Sequence, residues 1–185
     1  MAAQANLKST GITNLDASPR VAPTSGDSGG VGRLLTVHDT LPAMTTGGTA
    51  GGIMRVVRIP SDCYVKEVYW RVEATVTTAD CDVGLYYSDV ADGTSAANVA
   101  ASATPIDADF FAAALDVKTA SVLGWTACTF ESAVYTSAKM AQPIWQAAGL
   151  SADPKGFFDV CFTNTSTTNG APILSMRVDY VMGAA

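Results

Sequence analysis

The sequence predicts an all-β fold: an antiparallel two-sheet sandwich, jelly-roll-like, with two short helical insertions and an extended N-terminal arm. Two observations carry this prediction. Short runs rich in Val, Ile, Tyr and Trp alternate with clusters of Gly, Thr, Ser, Asp and Asn, which is typical of antiparallel strands joined by turns. Within these runs apolar residues recur at every second position, the period of a strand with one buried face. The 185 residues suffice for one domain, which we expect at residues 33–185.

Residues 1–32 are predicted to form the arm, because they consist mostly of Ala, Ser, Thr, Gly, Pro and Asn and show no sustained apolar period. Fully extended, such a segment spans at most about 100 Å, enough to cross a neighbouring subunit. The scattered side chains that we expect to contact such a partner are Ile12, Leu15, Arg20 and Val21. A disordered tail without a binding role is the alternative, and the sequence leaves both open.

The clearest strand is predicted from Lys66 to Val76, where residues of opposite character alternate. The apolar positions are Val68, Trp70, Val72, Ala74 and Val76, and the intervening positions are Glu67, Tyr69, Arg71, Glu73 and Thr75. We therefore expect one face of this strand to be buried and the other to be wet.

The last strand shows the same period of two, and the runs between the two strands add further candidates. In it, Leu174, Met176, Val178, Tyr180 and Met182 alternate with Ser175, Arg177 and Asp179. Other strands are predicted at Arg33–Asp39, Ile53–Ile59, Cys81–Ser88, Leu123–Phe130 and Phe157–Thr163. Since so many short strands cannot bury their apolar faces in one open sheet, two sheets packed face to face are expected.

Two helical insertions are predicted within this β pattern. The first begins at Thr104-Pro105-Ile106-Asp107, which offers a capping residue, a proline at the first helical position and an early acid, and it extends to about Leu115. The second covers Pro143 to Ala148, with Gly149 placed to end it. Its Ile144 and Trp145 are expected to plug one end of the sandwich.

The composition disfavours several classes of partner. A net charge of −6 and a pI near 4.5 repel phosphate backbones, so no direct nucleic-acid binding is expected. No apolar run approaches the length of a membrane span, and the N-terminus lacks a signal-peptide core, so we expect a protein made in a cytoplasm without a membrane partner. The four widely spaced cysteines are then predicted to be reduced and buried.

No catalytic, cofactor-binding or metal-binding residue is predicted. Gly26-Asp27-Ser28-Gly29-Gly30 matches the string around the nucleophile of trypsin-like proteases, but it lies in the arm and the single histidine, His38, follows it, so we interpret it as a hinge. The acid pairs at Asp80 and Asp82, Asp89 and Asp92, and Asp107 and Asp109 lack the spacing of a calcium loop. Turn and edge positions explain them better than a structural calcium ion.

Three further residues are predicted to contact a partner. Met44 lies in a glycine-rich loop, residues 44–52, between the first two strands. Tyr69 and Tyr86 fall by parity on the more polar faces of their strands, where they can serve a subunit interface. An aromatic platform for sugars is the alternative use of the aromatics, although Trp70 already belongs to a buried face.

The order of these features resembles capsid cement or decoration proteins of tailed bacteriophages, of the jelly-roll type. The stretches that carry the resemblance are Lys8–Asp16, Met54–Pro60 leading into Val65–Val68, Asp82–Asp89, Asp107–Ala112 and Gln142–Leu150. The resemblance implies a virion protein, assembled in the bacterial host cytoplasm, that binds on the capsid exterior at joints between major capsid subunits. It also implies a homo-oligomer, with a trimer favoured over a dimer, and no family residue transfers as a site.

Two hypotheses of different classes follow, and neither is an enzyme. The first is a virion structural protein that stabilises the shell through contacts with the major capsid protein and with sister subunits. The second is a carbohydrate-binding or receptor-binding module of a phage tail or fibre, which predicts exposed Trp or Tyr side chains on one sheet face.

Overall fold

A computed structural model describes residues 33–41, 50–72, 80–88, 105–117, 124–166 and 173–183 of the chain. Within these ranges the chain forms eight strands, a 3₁₀ turn at Lys139–Ala141 and a single helical turn, α1, at Ile144–Ala147. The strands are β1 (Leu34–Thr40), β2 (Ile53–Pro60), β3 (Tyr64–Val72), β4 (Asp80–Tyr87), β5 (Pro105–Asp116), β6 (Thr126–Ala127), β7 (Phe157–Asn164) and β8 (Leu174–Val181).

The strands form two four-stranded sheets, sheet 1 in the order β1-β8-β3-β6 and sheet 2 in the order β2-β7-β4-β5. All neighbouring strands are antiparallel. The first strand pairs with the last, the second with the seventh, the third with the sixth and the fourth with the fifth, so the chain folds as one long hairpin. Successive pairs of that hairpin alternate between the two sheets, which is the topology of an eight-stranded jelly roll. The predicted all-β sandwich is thus confirmed.

The core lies between the sheets and is built from the alternating apolar side chains of the inner strands. In β3, Val68, Trp70 and Val72 are buried while Glu67 is exposed, as the parity of the sequence predicts. Sheet 2 adds the inward residues of β4 and β7 and one residue of its edge strand β2. These side chains are Val83, Leu85, Phe158, Val160, Phe162 and Ile59, and Leu174, Met176 and Val178 meet them from β8.

The predicted first helical insertion is wrong, because residues 105–116 form the long edge strand β5. Pro105 is tolerated there, since it is the first residue of an edge strand that pairs only with β4. Several irregularities in the β4–β5 register disturb the period of two, so Phe110, Phe111 and Ala112 are all buried in succession. Ala114 has a positive φ of 52°, which bends the strand further.

The second predicted insertion is confirmed as α1, which ends at Ala147 and is followed, after its C-cap Ala148, by Gly149 with a positive φ of 80°. Its first turn is attached to the turn between β2 and β3. The Ile144 amide donates to the Cys63 carbonyl at 2.7 Å, and the Trp145 amide donates to the Ser61 carbonyl at 3.2 Å. Ile144 is buried in the core, whereas Trp145 lies at the end of the sandwich and is half-buried.

The strand predicted at Leu123–Phe130 is much shorter: Leu123 lies outside the described residues, and of residues 124–130 only Thr126 and Ala127 pair with β3. The chain then turns away, and the Thr129 hydroxyl accepts a hydrogen bond from the Val68 amide at 2.8 Å. A side chain thus replaces the next ladder partner of β3.

All four cysteines are buried free thiols, which confirms their predicted state. Burial raises the pKa of Cys81 to about 12, and it also raises the pKa of the other three thiols. Because nucleophilic reactivity belongs to the thiolate, these cysteines are inert at neutral pH. They act as small apolar side chains of the core.

Candidate partner-binding surfaces

The outer face of sheet 1 carries a cluster formed by Tyr69, Trp125, Arg177 and Asp179, which we call the Arg177 cluster. The Arg177 guanidinium carbon lies 4.1 Å from the centroid of the Tyr69 ring and 5.8 Å from that of Trp125. Its Nη2 atom lies 3.4 Å from Asp179 Oδ2. Such a cation over aromatic faces, held from the side by a carboxylate, is rigid and still partly open to solvent, since the Arg177 side chain is 30% exposed.

The remainder of this outer face is polar and surrounds the Arg177 cluster. The Thr36 hydroxyl donates to Asp179 Oδ1 at 2.7 Å, and the Thr40 and Ser175 hydroxyls share a hydrogen bond of 2.9 Å. His38 is exposed and lies opposite Arg177 in the β1–β8 register. An aromatic and arginine centre inside a polar rim is the usual anatomy of a protein-binding patch.

The outer face of sheet 2 is occupied by a buried ion-pair network centred on Asp159. Arg58 donates from Nε to Asp159 Oδ1 at 2.6 Å and from Nη2 to Oδ2 at 3.0 Å. Arg55 donates from Nη1 both to Asp159 Oδ2 and to the Tyr87 carbonyl. The Asp159 side chain is only 3% exposed, so this network stabilises the sheet rather than presenting a carboxylate to a partner.

Tyr86, one of the predicted partner contacts, is buried in sheet 2. Parity places Tyr86 correctly on the outer face of β4, outside the core cluster, but the residue is only 1% exposed. Its hydroxyl shares a hydrogen bond of 2.6 Å with Thr163, and it lies opposite Asp159 in the β4–β7 register. The outer face of β4 is covered, so the expectation that the more polar face of a strand is exposed to solvent does not hold there.

A groove at one end of the sandwich encloses about 820 Å³. It lies between the β2–β3 turn, the start of α1, the segment before β7 and the residues after β8, and we call it the end groove. Tyr64, Trp145, Phe157 and Met182 give it an apolar lining, and Phe157 and Met182 are 45% and 39% exposed. A concave surface with a mainly apolar lining and a few polar groups is the usual form of a binding site.

Hydrogen bonds hold the walls of the end groove together. The Ser61 hydroxyl donates to Asp153 Oδ1 at 2.6 Å and accepts from the Gly156 amide at 3.1 Å. Asp153 Oδ1 also accepts from the Lys155 amide at 2.8 Å. With the bonds from α1 to the same turn, these contacts make the end groove a preformed feature.

The structure places one of the seven predicted contact residues on an accessible surface. Tyr69 belongs to the Arg177 cluster and is half-buried. Tyr86 is buried, and the remaining predictions, Ile12, Leu15, Arg20, Val21 and Met44, lie outside the described residues. The prediction for Tyr69 therefore has a structural context, whereas its role in binding stays a prediction.

The sequence reasoning missed Arg177, Trp125 and most of the end groove. Arg177 was visible as an outward residue of the last strand, but its stacking partner Tyr69 is more than a hundred positions away, and only the β3–β8 register joins them. Trp145 was expected to plug the sandwich end, and it does reach that end, where it lines a groove instead of filling it. No local pattern identifies Phe157 or Met182 as exposed.

No site for chemistry or metal binding stands out in the described part of the chain. There, no three His, Cys, Asp or Glu side chains gather where they can hold a metal ion. Of the acid pairs considered above, Asp89 and Asp92 lie outside that part. Asp107 and Asp109 are neighbours on β5, and the Asp109 amide donates to Asp107 Oδ1 at 3.3 Å.

This acid pair gives the protein a predictable response to pH. Burial, followed by the contact with Asp109, raises the pKa of Asp107 above its ordinary value near 3.8. Between the ordinary and the raised pKa, the folded state holds a proton that the unfolded chain has released. The residue therefore disfavours folding increasingly over that interval, and the penalty is constant above the raised pKa. Asp107→Asn is expected to raise the urea midpoint at pH 7, with a gain that disappears near pH 3.

Asp116→Asn is the matched control for this pH dependence. It removes the same charge from the exposed end of the same strand and is expected to give no gain at pH 7. A lower midpoint for Asp107→Asn than for the wild type at pH 7 would contradict the expectation. So would a gain of equal size at both pH values.

The described residues thus define an eight-stranded jelly roll with two accessible candidate surfaces, and comparison with solved structures shows which chains share this fold. One is a chain of the capsid of Ralstonia phage GP4, with a TM-score of 0.56 and 16% identity over 90% of this chain and 94% of that chain. Another is a chain of the cyanophage Pam1 capsid asymmetric unit, with a TM-score of 0.51 and 15% identity over 97% of this chain and 99% of that chain. The resemblance to phage capsid proteins is confirmed at the level of the fold.

Sequence comparison adds nothing to this likeness. No protein-family model matches the chain, and no curated protein matches it significantly. Within the described residues, no helix is long and apolar enough to cross a membrane.

Proposed function

We propose that the protein is a non-enzymatic virion structural protein that binds at joints between major capsid subunits and stabilises the shell. The observation that carries the proposal is the near-complete overlap with two phage capsid chains, which reaches 97% of this chain and 99% of the cyanophage chain. Overlap of this extent argues that the whole jelly roll, and not a shared fragment, serves the same kind of assembly. A cement or decoration role is the finer part of the proposal.

The surface of sheet 1 supports a role in protein assembly. The Arg177 cluster combines tyrosine, tryptophan and arginine, the residue types that contribute most to protein interfaces. The low fraction of charged residues, 15% of the sequence, also suits a surface that a partner covers, because charged residues are depleted from interface centres. The outer face of sheet 1 is therefore the face that we assign to the capsid partner.

The charge of the protein supports a place on the capsid exterior. A net charge of −6 is repelled by packaged DNA, and an exterior position keeps the protein away from it. Sister subunits are the second class of partner, with a trimer favoured over a dimer and assembly in the host cytoplasm. Light scattering of the purified protein measures this oligomeric state directly.

Binding to capsids that lack the protein tests the proposal. Virions are prepared from a phage in which the gene for this chain is deleted, and the purified protein is added back. We expect it to cosediment with these capsids and to raise the temperature at which they release DNA. Arg177→Ala is expected to weaken binding about tenfold or more, as truncation of an interface centre does.

Gln146→Ala is the matched control, because Gln146 is exposed on α1 and does not belong to the Arg177 cluster. It is expected to bind like the wild type, and both variants are checked for unchanged unfolding midpoints. The proposal fails if the protein does not cosediment and the deletion virions release DNA at the wild-type temperature. Equal binding by Arg177→Ala and the wild type would reject sheet 1 as the contact face.

The alternative of a carbohydrate-binding module has less support from the described residues. It needs an open aromatic face for a sugar ring. Trp70 is buried, and the Arg177 guanidinium covers the Tyr69 ring. A glycan array with reproducible hits that are lost in Tyr69→Ala would restore this alternative.

A further inference from the structure

We infer that the end groove is a binding site for the segment Ser18–Pro23 of the same chain's N-terminal arm. The proposed docking is a property of the free protein, so it does not depend on binding to a capsid.

The end groove has the chemistry that binds proline-rich segments. Tyr64, Trp145 and Phe157 line it, and Pro60 and Pro143 extend the apolar wall. Aromatic-lined grooves hold segments in the polyproline II conformation, because the flat rings pack against the ridges of that helix. Its walls are already joined by hydrogen bonds, so little ordering of the groove opposes binding.

Two carboxylates lie at the rim of the end groove. Asp62 and Asp153 both line it, together with the amine of Lys155, and Lys66 Nζ lies 5.8 Å from the centroid of the Tyr64 ring. Asp62 lies near the end of β8, where its Oδ2 atom is 3.3 Å from the position a Cβ on Gly183 would take. Because the Tyr64 ring already faces Lys66, an incoming arginine is expected to pack on the Trp145 ring and to pair with a rim carboxylate.

Ser18-Pro19-Arg20-Val21-Ala22-Pro23 is the segment of the arm that matches this chemistry. Pro19 and Pro23 fix their own φ angles near −65°, and each proline restricts the residue before it to extended conformations. Segments rich in proline are typical of the sequences that polyproline-binding grooves recognise. The segment presents Val21 for the apolar lining and Arg20 for the acidic rim.

The place where the arm joins the domain favours docking within one chain. Leu34, at the start of β1, and Tyr64, which lines the end groove, both pair with Val181 from opposite sides. The two backbones are thus separated by two strand spacings, about 10 Å. Val181 is followed directly by Met182 and Gly183, which also line the end groove.

The connection between the segment and the domain has a suitable length. Residues 24–32, which separate the segment from the domain, contain four glycines and two serines. A linker of that length has a root-mean-square span of about 17 Å, which matches the short distance to the end groove. Short flexible linkers hold a tethered segment at an effective concentration in the millimolar range, which favours its own groove over that of another molecule.

Photo-crosslinking of the full-length protein tests this inference. Val21 is replaced by p-benzoylphenylalanine, and the purified protein is irradiated at low concentration without capsids. We expect adducts that keep the mass of one chain and that map to the tryptic peptides 140–155 and 156–177, which contain Trp145 and Phe157. Adducts of double mass at every dilution, or adducts mapped elsewhere, overturn the inference.

Charge reversal separates docking in the end groove from nonspecific contact. Arg20→Asp and Asp62→Arg are each expected to lower the crosslinking yield roughly two- to fivefold, and the double variant is expected to restore much of it. Lys8→Asp makes the same charge change outside the segment and is expected to leave the yield unchanged. Equal yields in all four variants overturn the inference, while capsid binding by the wild type remains a separate result.

Discussion

Gly84→Ala is expected to lower the free energy of unfolding by about 3 kcal/mol, at the upper end of what an added methyl group usually costs. Gly84 lies in the middle of β4, where β5 crosses very closely. A Cβ atom there would lie 2.2 Å from the Ala108 carbonyl oxygen and 2.5 Å from that of Asp107. Both contacts involve backbone atoms, so β5 has to move away from β4, and the sheet loses pairing at its edge.

Urea unfolding followed by tryptophan fluorescence measures this loss, and hydrogen exchange locates it. Faster exchange is expected in residues 105–116 and little change in β3 or β8. Gly124→Ala is the matched control, because no heavy atom lies within 4 Å of the Cβ position there. Its unfolding free energy should stay within about 0.5 kcal/mol of the wild type. If the two alanine variants are equally stable, β5 does not cross β4 as described.

Most strand bounds were predictable from sequence, at the edges as well as in the centre of the sheets. The predicted bounds of β1, β2, β4, β7 and β8 agree with the structure within one residue, because their inward apolar residues recur at every second position. The predictions failed at β5 and β6, two edge strands in which bulges and early turns are tolerated. In β5 the irregular register gives Ile106, Phe110, Phe111 and Leu115 an apolar spacing that imitates a helix.

The candidate surfaces were only partly predictable, since each is assembled from distant parts of the chain. Parity placed Tyr69 and Arg177 on outer faces but gave no information on their contact, which depends on the register of β3 with β8. The end groove brings together segments around Pro60, Trp145, Phe157 and Met182, each of which looks locally like the end of a strand or a helix. The order of the strands in the sheets determines which distant segments come into contact, and hydrophobic periodicity does not encode that order.

The Asp159 network was not predicted from the sequence. Its removal is expected to lower the free energy of unfolding by about 3 kcal/mol. Asp159→Ala takes away a carboxylate that accepts from two guanidinium groups. The Arg58 side chain is 43% exposed and regains water easily, whereas that of Arg55 is 20% exposed and regains less. The loss of stability should therefore lie at the lower end of the range for broken buried ion pairs. Because Asp159 is shielded from solvent, this loss should change little between low and high salt.

Comparison with two other substitutions isolates the buried carboxylate as the cause. Arg58→Ala leaves Asp159 paired with Arg55 and removes a half-exposed partner, so it is expected to cost about 1 kcal/mol or less. Asp39→Ala removes an exposed carboxylate whose Oδ1 atom accepts from the adjacent Thr40 amide at 2.7 Å, and a similarly small loss is expected. Urea midpoints at two salt concentrations decide the matter. If the urea midpoint of Asp159→Ala falls no further than that of Asp39→Ala, the network contributes no more than a surface ion pair. The stability of the covered face of sheet 2 then depends on the packing of Tyr86 instead.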